Sequence, residues 1–529
     1  MSTLFRTIAI VLIHSLIIVN SAKILAVFSN PSYSHHQVFN SLVDAFLDDG
    51  HDVVVITVWP VYPKEQVPAN LTQIDVKDIS LKIWNEDISK IMMEAGTDMI
   101  TLCGKTLKIF IKIMVKQFEA NEVIKLFGND NFTFDLLVTE SLMKMPLMIS
   151  HYYKVPVIEI NSFGPIYGDM ANFGAPSQPR MYPQSMRKRI YNLTLLEELS
   201  ELYIDLGMQD LTFNQLYLDA HDAMKETIFK SAPIIDVLQD NVHLLYVNTN
   251  PIWDVIRPVP LPVIYTYGIH QKPHKELPKE LSSYLDSSAK GVVYVSFGTS
   301  ADVKLYSEKV QILLNAFSKL PYDFLLKWPE DVLAGKPDNV KIAKWLPQAD
   351  LLKHPNVKVF ITQCGIQSTD EAIDAGVPLI GMPLVWDQWA NAERYVVHKI
   401  GIKLEINDVT EEEMINAINT LITDTSYRRN IIKLRELLLD APQTSQERAL
   451  WWAHYLLRHG GTKHLRAPAA CMSYSEFFEI ELFSILFACS ALIIIIIRLL
   501  LIKYLLPSYY HGVAWFKSKF VHVDYKLKR

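Results

Sequence analysis

Along this chain, short continuous apolar runs alternate with stretches in which apolar residues recur every three or four positions. The runs KILAVFS (23–29), HDVVVITV (51–58), FDLLVTES (134–141), HLLYVNTN (243–250), VIYTYG (263–268), GVVYVSFGTS (291–300), DFLLKW, VKIAKW, VKVFIT (357–362) and VPLIGMP (377–383) do not alternate apolar with polar positions. Strands covered on both faces read this way, and such strands are usually parallel. The clearest unit is strand VKVFIT, turn QCG, helix IQSTDEAIDAG and strand VPLIGMP, a βαβ arrangement within 344–391. In parallel sheets, ligands sit beyond the carboxyl ends of the strands. The start of the chain repeats the pattern, with strand 23–29, turn NPSYS, a helix N-capped at Ser34 and ending at Gly50, then strand 51–58.

Between these units the pattern weakens. Residues 60–130 read as irregular with amphipathic helical stretches such as TLKIFIKIMVKQF, and segment 162–185, rich in Gly, Pro and Ser, suits a loop that closes over a second substrate. Helices are expected near 192–238, at 306–318 and from 410 to 459. Pro- and Lys-rich 269–290 marks a linker between a first domain, 23–268, and a second, 291–465. The aromatic run WWAHYL (451–456) packs either across to the first domain or near a bilayer.

Two apolar runs are not strands. Arg6, the apolar stretch 7–19 and the small residues Ser21 and Ala22 form a secretory signal peptide over 1–22. After a juxtamembrane segment at 466–481, residues 482–502, broken only by Arg498, are long enough at ~1.5 Å per residue to cross a ~30 Å hydrocarbon layer. Lys503, Lys517, Lys519, Lys526, Lys528 and Arg529 in the tail 503–529 place it in the cytosol and the bulk of the chain in the lumen. Sequons at Asn70, Asn131 and Asn192 suit that topology.

Composition narrows the function. Net charge is −6, so no basic field recruits nucleic acid. The four cysteines, Cys103, Cys364, Cys471 and Cys489, match neither a zinc site nor a disulfide framework, and no metal-ligand set is evident. The opening strand also lacks a GxGxxG turn, which argues against a dinucleotide there.

Polar residues gather at strand ends. Trp345, Pro347, Gln348, Phe360, Thr362, Gln363, Gly365, Glu371, Gly376, Val377, Pro378, Asp387 and Gln388 stand in order. With them the chain resembles the membrane-bound UDP-glycosyltransferases, the animal UDP-glucuronosyltransferase family, in an insect-like form. Its pattern is W-x-P-Q, F-x-T-H-x-G, a helical E, G-V-P and D-Q. Two residues depart from it, Gln363 where the family has histidine and Cys364 where it has a small residue. A glutamine amide still donates to phosphate oxygen but carries no charge.

The resemblance implies a GT-B fold, two Rossmann-like domains facing across a cleft. It also implies transfer of glucose or glucuronate from a UDP-sugar to a small lipophilic acceptor, with inversion and no resident cofactor. The family's catalytic histidine precedes a Gly-His pair by the separation that here lies between His35 and His51, and its aspartate aligns with Glu140. His36 is then a structural neighbour. By the same resemblance, Trp345 stacks on uracil, Gln348 contacts uridine and Glu371 binds ribose. Ser296, Gly298, Thr299, Gln363, Gly365, Gln367 and Ser368 surround the diphosphate, which also suits the free N–H groups of a helix start. Asp387 and Gln388 hold the sugar. The family points to the endoplasmic reticulum membrane, leaves room for a homo-oligomer, and makes a silent UDP-sugar-binding or lipophile-carrier protein the alternative.

Overall fold

The structure, a computed structural model, describes residues 21–92, 99–129, 132–166, 168–175, 178, 180–208, 215–225, 229–299, 307–470 and 472–526. The expected signal peptide, apart from Ser21 and Ala22, and the sequon at Asn131 lie outside them. The chain divides into two compact units, Met1–Pro468 and Ala469–Arg529.

Within the first unit the apolar runs become two all-parallel sheets. One holds β1 (Lys23–Phe28), β2 (Asp52–Thr57), β3 (Leu71–Asp75), β4 (Leu136–Glu140), β5 (Val157–Asn161), β6 (Val242–Val247) and β7 (Val263–Tyr265), in the order β3-β2-β1-β4-β5-β6-β7. The other holds β8 (Val292–Ser296), β9 (Asp323–Lys327), β10 (Val340–Ala343), β11 (Val357–Thr362), β12 (Leu379–Gly381) and β13 (Gly401–Lys403), in the order β10-β9-β8-β11-β12-β13. Central strands are buried along their whole length, β4 and β8 at every residue, as an unbroken apolar run requires when helices cover both faces. In each sheet the strand order reverses at one place, between β1 and β4 and between β8 and β11. Crevices at such reversals are where open α/β sheets bind ligands.

The weakly patterned region is more regular than its sequence implies. Residues 60–130 contain β3 and the helices Lys77–Met92, Met99–Phe118 and Asn121–Phe127. LTQID was not expected as a strand because it sits at the sheet edge, where only Leu71 and Ile74 are buried, and its apolar pattern is correspondingly thin. The short strands β5 and β13 were not expected either. The linker is also not all linker, since Lys279–Ser287 is a helix that buries Leu281 and Leu285.

Three helices matter for the site and a fourth for the fold: α1 (Tyr33–Asp48), α2 (Ile366–Ala375), α3 (Gln388–Val397) and α4 (Ser445–His459). Helix α4 starts in a capping box, with Thr444 and Glu447 satisfying each other's backbone N–H, and stops at Gly460 in the left-handed region (φ 62°). Its buried side chains Ala449, Ala453 and Leu456 belong to the core of the first sheet, together with Ile24, Ala26 and Tyr246. Tyr246 Oη donates to Ala449 O at 2.6 Å, Ser445 Oγ to Tyr267 O at 2.6 Å, and Arg448 Nη1 to Tyr265 O at 3.0 Å. Of the two placements open to the aromatic run 451–456, the chain adopts the one across to the first sheet.

In the second unit, Ile480–Lys526 is one helix, continuing past the expected span 482–502 and through Pro507. Within Ile480–Lys519 the most apolar 18-residue stretch has mean hydropathy 3.0, and none of that stretch is buried within the chain. A helix this apolar and this bare fits membrane anchoring.

Since α4 closes the core of the first sheet, truncating it should destabilise the whole unit. Leu456, fully buried, is the sharpest case. Leu456→Ala is expected to cost about 2–5 kcal/mol, read as a lower urea midpoint with unchanged slope.

Candidate active site

The first sheet ends in a histidine and a carboxylate. β1 pairs with β4 in parallel register, which brings the turn after Phe28 beside Glu140. His35, in the first turn of α1, is partly exposed, while Glu140 is 1% exposed. His35 Nδ1 lies 2.6 Å from Glu140 Oε1. Facing a carboxylate, Nδ1 carries the proton, so Nε2 keeps its lone pair. Asn30 Nδ2 donates to the same Glu140 oxygen at 3.1 Å, and Asn30 Oδ1 accepts from Ser32 N at 2.9 Å. The extra methylene of glutamate therefore still delivers a carboxylate to the imidazole.

His36 does other work. It is fully buried, its Nε2 donates to Asn30 O at 2.7 Å, and its Nδ1 accepts from the Thr57 hydroxyl at 3.1 Å. Burial pushes its pKa down to about 3, with the Asn30 bond opposing the shift. A neutral His36 thus pins the turn that carries Asn30 and His35. Asp135 accepts from Lys23 N at 2.7 Å and serves the start of the sheet.

In the second sheet the residues predicted to bind UDP converge on one cavity. Tyr33, Ser34 and Gln37 of the first sheet's turn line it together with Ser296, Gly298, Thr299, Lys327, Trp345, Gln348, Gln363, Gly365, Gln367, Ser368 and Glu371. Gln348 is held from both ends, its Oε1 accepting from Tyr294 Oη at 2.9 Å and its Nε2 donating to Ser368 Oγ at 2.9 Å and Glu371 Oε2 at 2.7 Å. Burial raises the Glu371 pKa to about 7, opposed by the Gln348 hydrogen bond. Trp345 is 57% exposed. Its ring meets Tyr33 edge-on at 5.3 Å and Lys327 Nζ at 4.8 Å.

Tight backbone shapes this cavity. Gly298 has φ 75°, and a Cβ there would lie 2.1 Å from Gln363 Nε2, so only glycine lets the glutamine amide sit against the turn. Gln363 itself is 9% exposed. Cys364 sits in the left-handed region with φ 71°. A side chain at this position is strained. Its sulfur is fully buried against Gly381. Gly365 is the N-cap of α2, leaving the first N–H groups of that helix free of side-chain caps.

A second, more apolar cavity holds His35. It is lined by Asn30, Trp84, Cys103, Leu107, Phe110, Leu142, Phe163 and Met186, and at its far wall by Trp386, Asp387 and Gln388. Ser34, Gln363, Gly365 and Gln367 border both cavities. Asp387 is the N-cap residue of α3, but its side chain makes no capping bond and instead accepts from Asn391 Nδ2 at 2.8 Å. Burial lifts its pKa to about 6, opposed first by that bond and then by His35. Gln388 Oε1 accepts from Leu384 N and Val385 N, at 2.8 and 2.9 Å, which fixes the loop before the helix. Gln367 Nε2 donates to Ser162 O at 2.8 Å, across to the first sheet.

All the sequence-predicted residues therefore border one of these cavities or, for Glu140, stand directly behind it. Sequence reasoning missed Asn30, Tyr33, Lys327 and the walls contributed by Trp84, Leu107 and Phe110. Lys327 carries the one readable signal, a lysine at the carboxyl end of a buried strand, which interrupts an apolar run.

Comparison with known proteins agrees with this architecture. The sequence pattern described as "UDP-glucoronosyl and UDP-glucosyl transferase" matches residues 22–509. An ecdysteroid UDP-glucosyltransferase of Spodoptera littoralis nuclear polyhedrosis virus is 34% identical over 495 residues, covering 89% of this chain and 96% of that protein. The UDP-glycosyltransferase UGT5 of Dactylopius coccus is 28% identical over 486 residues, covering 90% and 91%. Among solved structures, Os79 from O. sativa in complex with U2F and trichothecene superposes with a TM-score of 0.56 at 16% identity, covering 82% of this chain and 99% of that one. Glycosyltransferase VinC in complex with DTDP gives 0.56 at 14%, covering 83% and 100%. These likenesses show the expected GT-B fold.

The depressed pKa of His36 has a stability consequence. The unfolded chain takes up the proton near 6.5 and the folded chain only near 3, so the contribution of neutral His36 is complete above 6.5 and is lost as pH falls. Relative to His36→Gln, the wild type should lose up to about 1.4 kcal/mol per pH unit below pH ~6.5. Parallel plots of melting temperature against pH for the two proteins would contradict this.

Proposed function

The chain belongs to the UDP-glucoronosyl and UDP-glucosyl transferase family, and from that premise we propose that this UDP-glycosyltransferase moves glucose from UDP-glucose to a hydroxyl of a small lipophilic acceptor, inverting the anomeric carbon. One observation carries the reading. His35 lines an apolar cavity that shares Gln363, Gly365 and Gln367 with the polar cavity containing the family's donor residues.

The chemistry follows from that juxtaposition. An acceptor hydroxyl in the apolar cavity gives its proton to His35 Nε2 as its oxygen bonds to the anomeric carbon, and the bond from that carbon to the diphosphate breaks with UDP leaving. Glu140, already 2.6 Å from Nδ1, stabilises the imidazolium that forms. Trp345 stacks on uracil, with Gln348 and Glu371 at the uridine. Ser296, Gly298, Thr299, Gln363, Gly365 and Ser368 receive the diphosphate at the start of α2, whose dipole favours the departing charge. Lys327 brings an ammonium group to the same cavity, where Gln363 offers only an amide. Asp387 and Gln388 meet the sugar. Gln367, tied to Ser162, holds the wall between donor and acceptor.

Glucose is favoured over glucuronate by the names of several relatives, among them ecdysteroid UDP-glucosyltransferases and UDP-glucosyltransferase 2 of Dactylopius coccus. Ecdysteroids are accordingly the first acceptors to try, as rigid apolar molecules bearing hydroxyls. No metal or resident cofactor is assigned a role. We place the first unit, as an acceptor-binding half at 23–268 and a donor-binding half at 291–465, in the lumen of the endoplasmic reticulum. The apolar helix anchors it and the basic tail is cytosolic.

Microsomes bearing the full chain, given UDP-glucose or UDP-glucuronate and a panel of ecdysteroids, phenols and lipids, test the reaction. His35→Ala should lower kcat by about 10²–10⁴ with the Kd for UDP unchanged. UDP binding by the wild type without turnover of any acceptor would instead describe a carrier.

Topology has its own assay. Protease added to sealed microsomes should trim only the tail, and digestion of the luminal unit without detergent would refute the orientation.

A further inference from the structure

The buried guanidinium of Arg394, in the middle of α3, lies outside every site described above. It is 2% exposed, and its Nη2 donates to Asp254 Oδ1 at 2.6 Å. Asp254 follows β6 of the first sheet and is 5% exposed, its other oxygen accepting from Arg257 Nη2 at 2.9 Å. A charge pair buried this deeply is expensive to desolvate and is a weak device for stability alone. Its geometry leads elsewhere.

Arg394 Nη1 donates to Asn391 Oδ1 at 3.3 Å. That contact holds the oxygen end of the Asn391 amide while two acceptors hold the nitrogen end, and a flipped amide would turn its NH₂ toward the guanidinium and its oxygen toward the Asp387 carboxylate. In the orientation present, Asn391 Nδ2 donates to Cys364 O at 2.9 Å and to Asp387 Oδ2 at 2.8 Å. One carboxylate oxygen of Asp387 is thereby held from behind, and its rotamer is set by a chain of contacts that begins in the other sheet.

We infer that Arg394 is a positioning residue for the donor sugar: anchored by Asp254, it locks the Asn391 amide and through it the carboxylate of Asp387. The inference rests on the assignment of Asp387 to the sugar made under Proposed function. Asp254 then connects the acceptor half of the cleft to the sugar end of the donor site. The uridine end, built from Trp345, Gln348 and Glu371, does not depend on this relay.

That asymmetry supplies the test. Arg394→Met, Arg394→Lys and Asp254→Asn are made in the full membrane-bound chain, and each is assayed for UDP affinity by calorimetry and for KM and kcat with UDP-glucose. Misplacing a reacting or binding group by about 1 Å costs on the order of 10²-fold, so Arg394→Met should lose about ten- to a hundredfold in kcat/KM for UDP-glucose while the Kd for UDP stays at the wild-type value. Arg394→Lys should recover part of the loss, since an ammonium reaches one partner but not both. Asp254→Asn should shift the same quantity and add nothing in the Arg394→Met background.

A purely structural pair would weaken UDP and UDP-glucose by the same factor, and that result, or an unmoved kcat/KM for UDP-glucose, overturns the inference. Retained UDP binding in each variant shows that the fold is intact. A wild type that binds UDP but turns over neither UDP-glucose nor UDP-glucuronate removes the premise and overturns both readings.

Discussion

Every strand of both sheets runs parallel to its neighbours, and most of what this protein can do depends on that constraint. A parallel sheet has one edge at which its strands finish and its crossover helices begin, so loop residues and helix starts collect there. His35 and Glu140 are at that edge of the first sheet, and Gln363 and Gly365 at that edge of the second. Neither edge is a site by itself. The cavity that His35 lines is mostly apolar, and among the described residues no histidine lines the polar one. Hydrogen bonds that span the two sheets, from Gln367 to Ser162 and from Arg394 to Asp254, hold the edges against each other.

How much of this could be read from the sequence depended on how local each feature is. The stretch 344–391 was legible because its strand, turn and helix follow one another and its polar residues fall at the junctions. His35 was singled out through the family resemblance, whose catalytic histidine stands at the same separation from a Gly-His pair as His35 does from His51. Short edge strands such as β3 and β13 were illegible because a few half-buried residues leave little period to detect. The helix Lys279–Ser287 was hidden by the Pro- and Lys-rich residues around it. Arg394 carried no signal at all. Its partner Asp254 is 140 positions away, and a lone arginine on an amphipathic helix ordinarily faces water.

The two departures from the family pattern look different once placed in space. Gln363 surrenders a charge, yet its amide is wedged against Gly298 in a position where a Cβ on that turn would not fit. Cys364 occupies a left-handed backbone position at some strain, and its carbonyl accepts from Asn391. Both residues are therefore part of the scaffold that aims the loop, as well as of the cavity wall.

The return of α4 to the first sheet has a consequence for how the chain is made. Ala449, Ala453 and Leu456 complete a core whose founding strands are β1 and β2, and the bond from Tyr246 to Ala449 links residues 203 positions apart. Domains usually fold as they emerge during synthesis, but here α1 covers only part of the early sheet's apolar face, and the strip under α4 stays open until residues 445–459 have been made. The core of the first sheet is therefore completed late in translation, a delay set by the topology of the chain rather than by its composition.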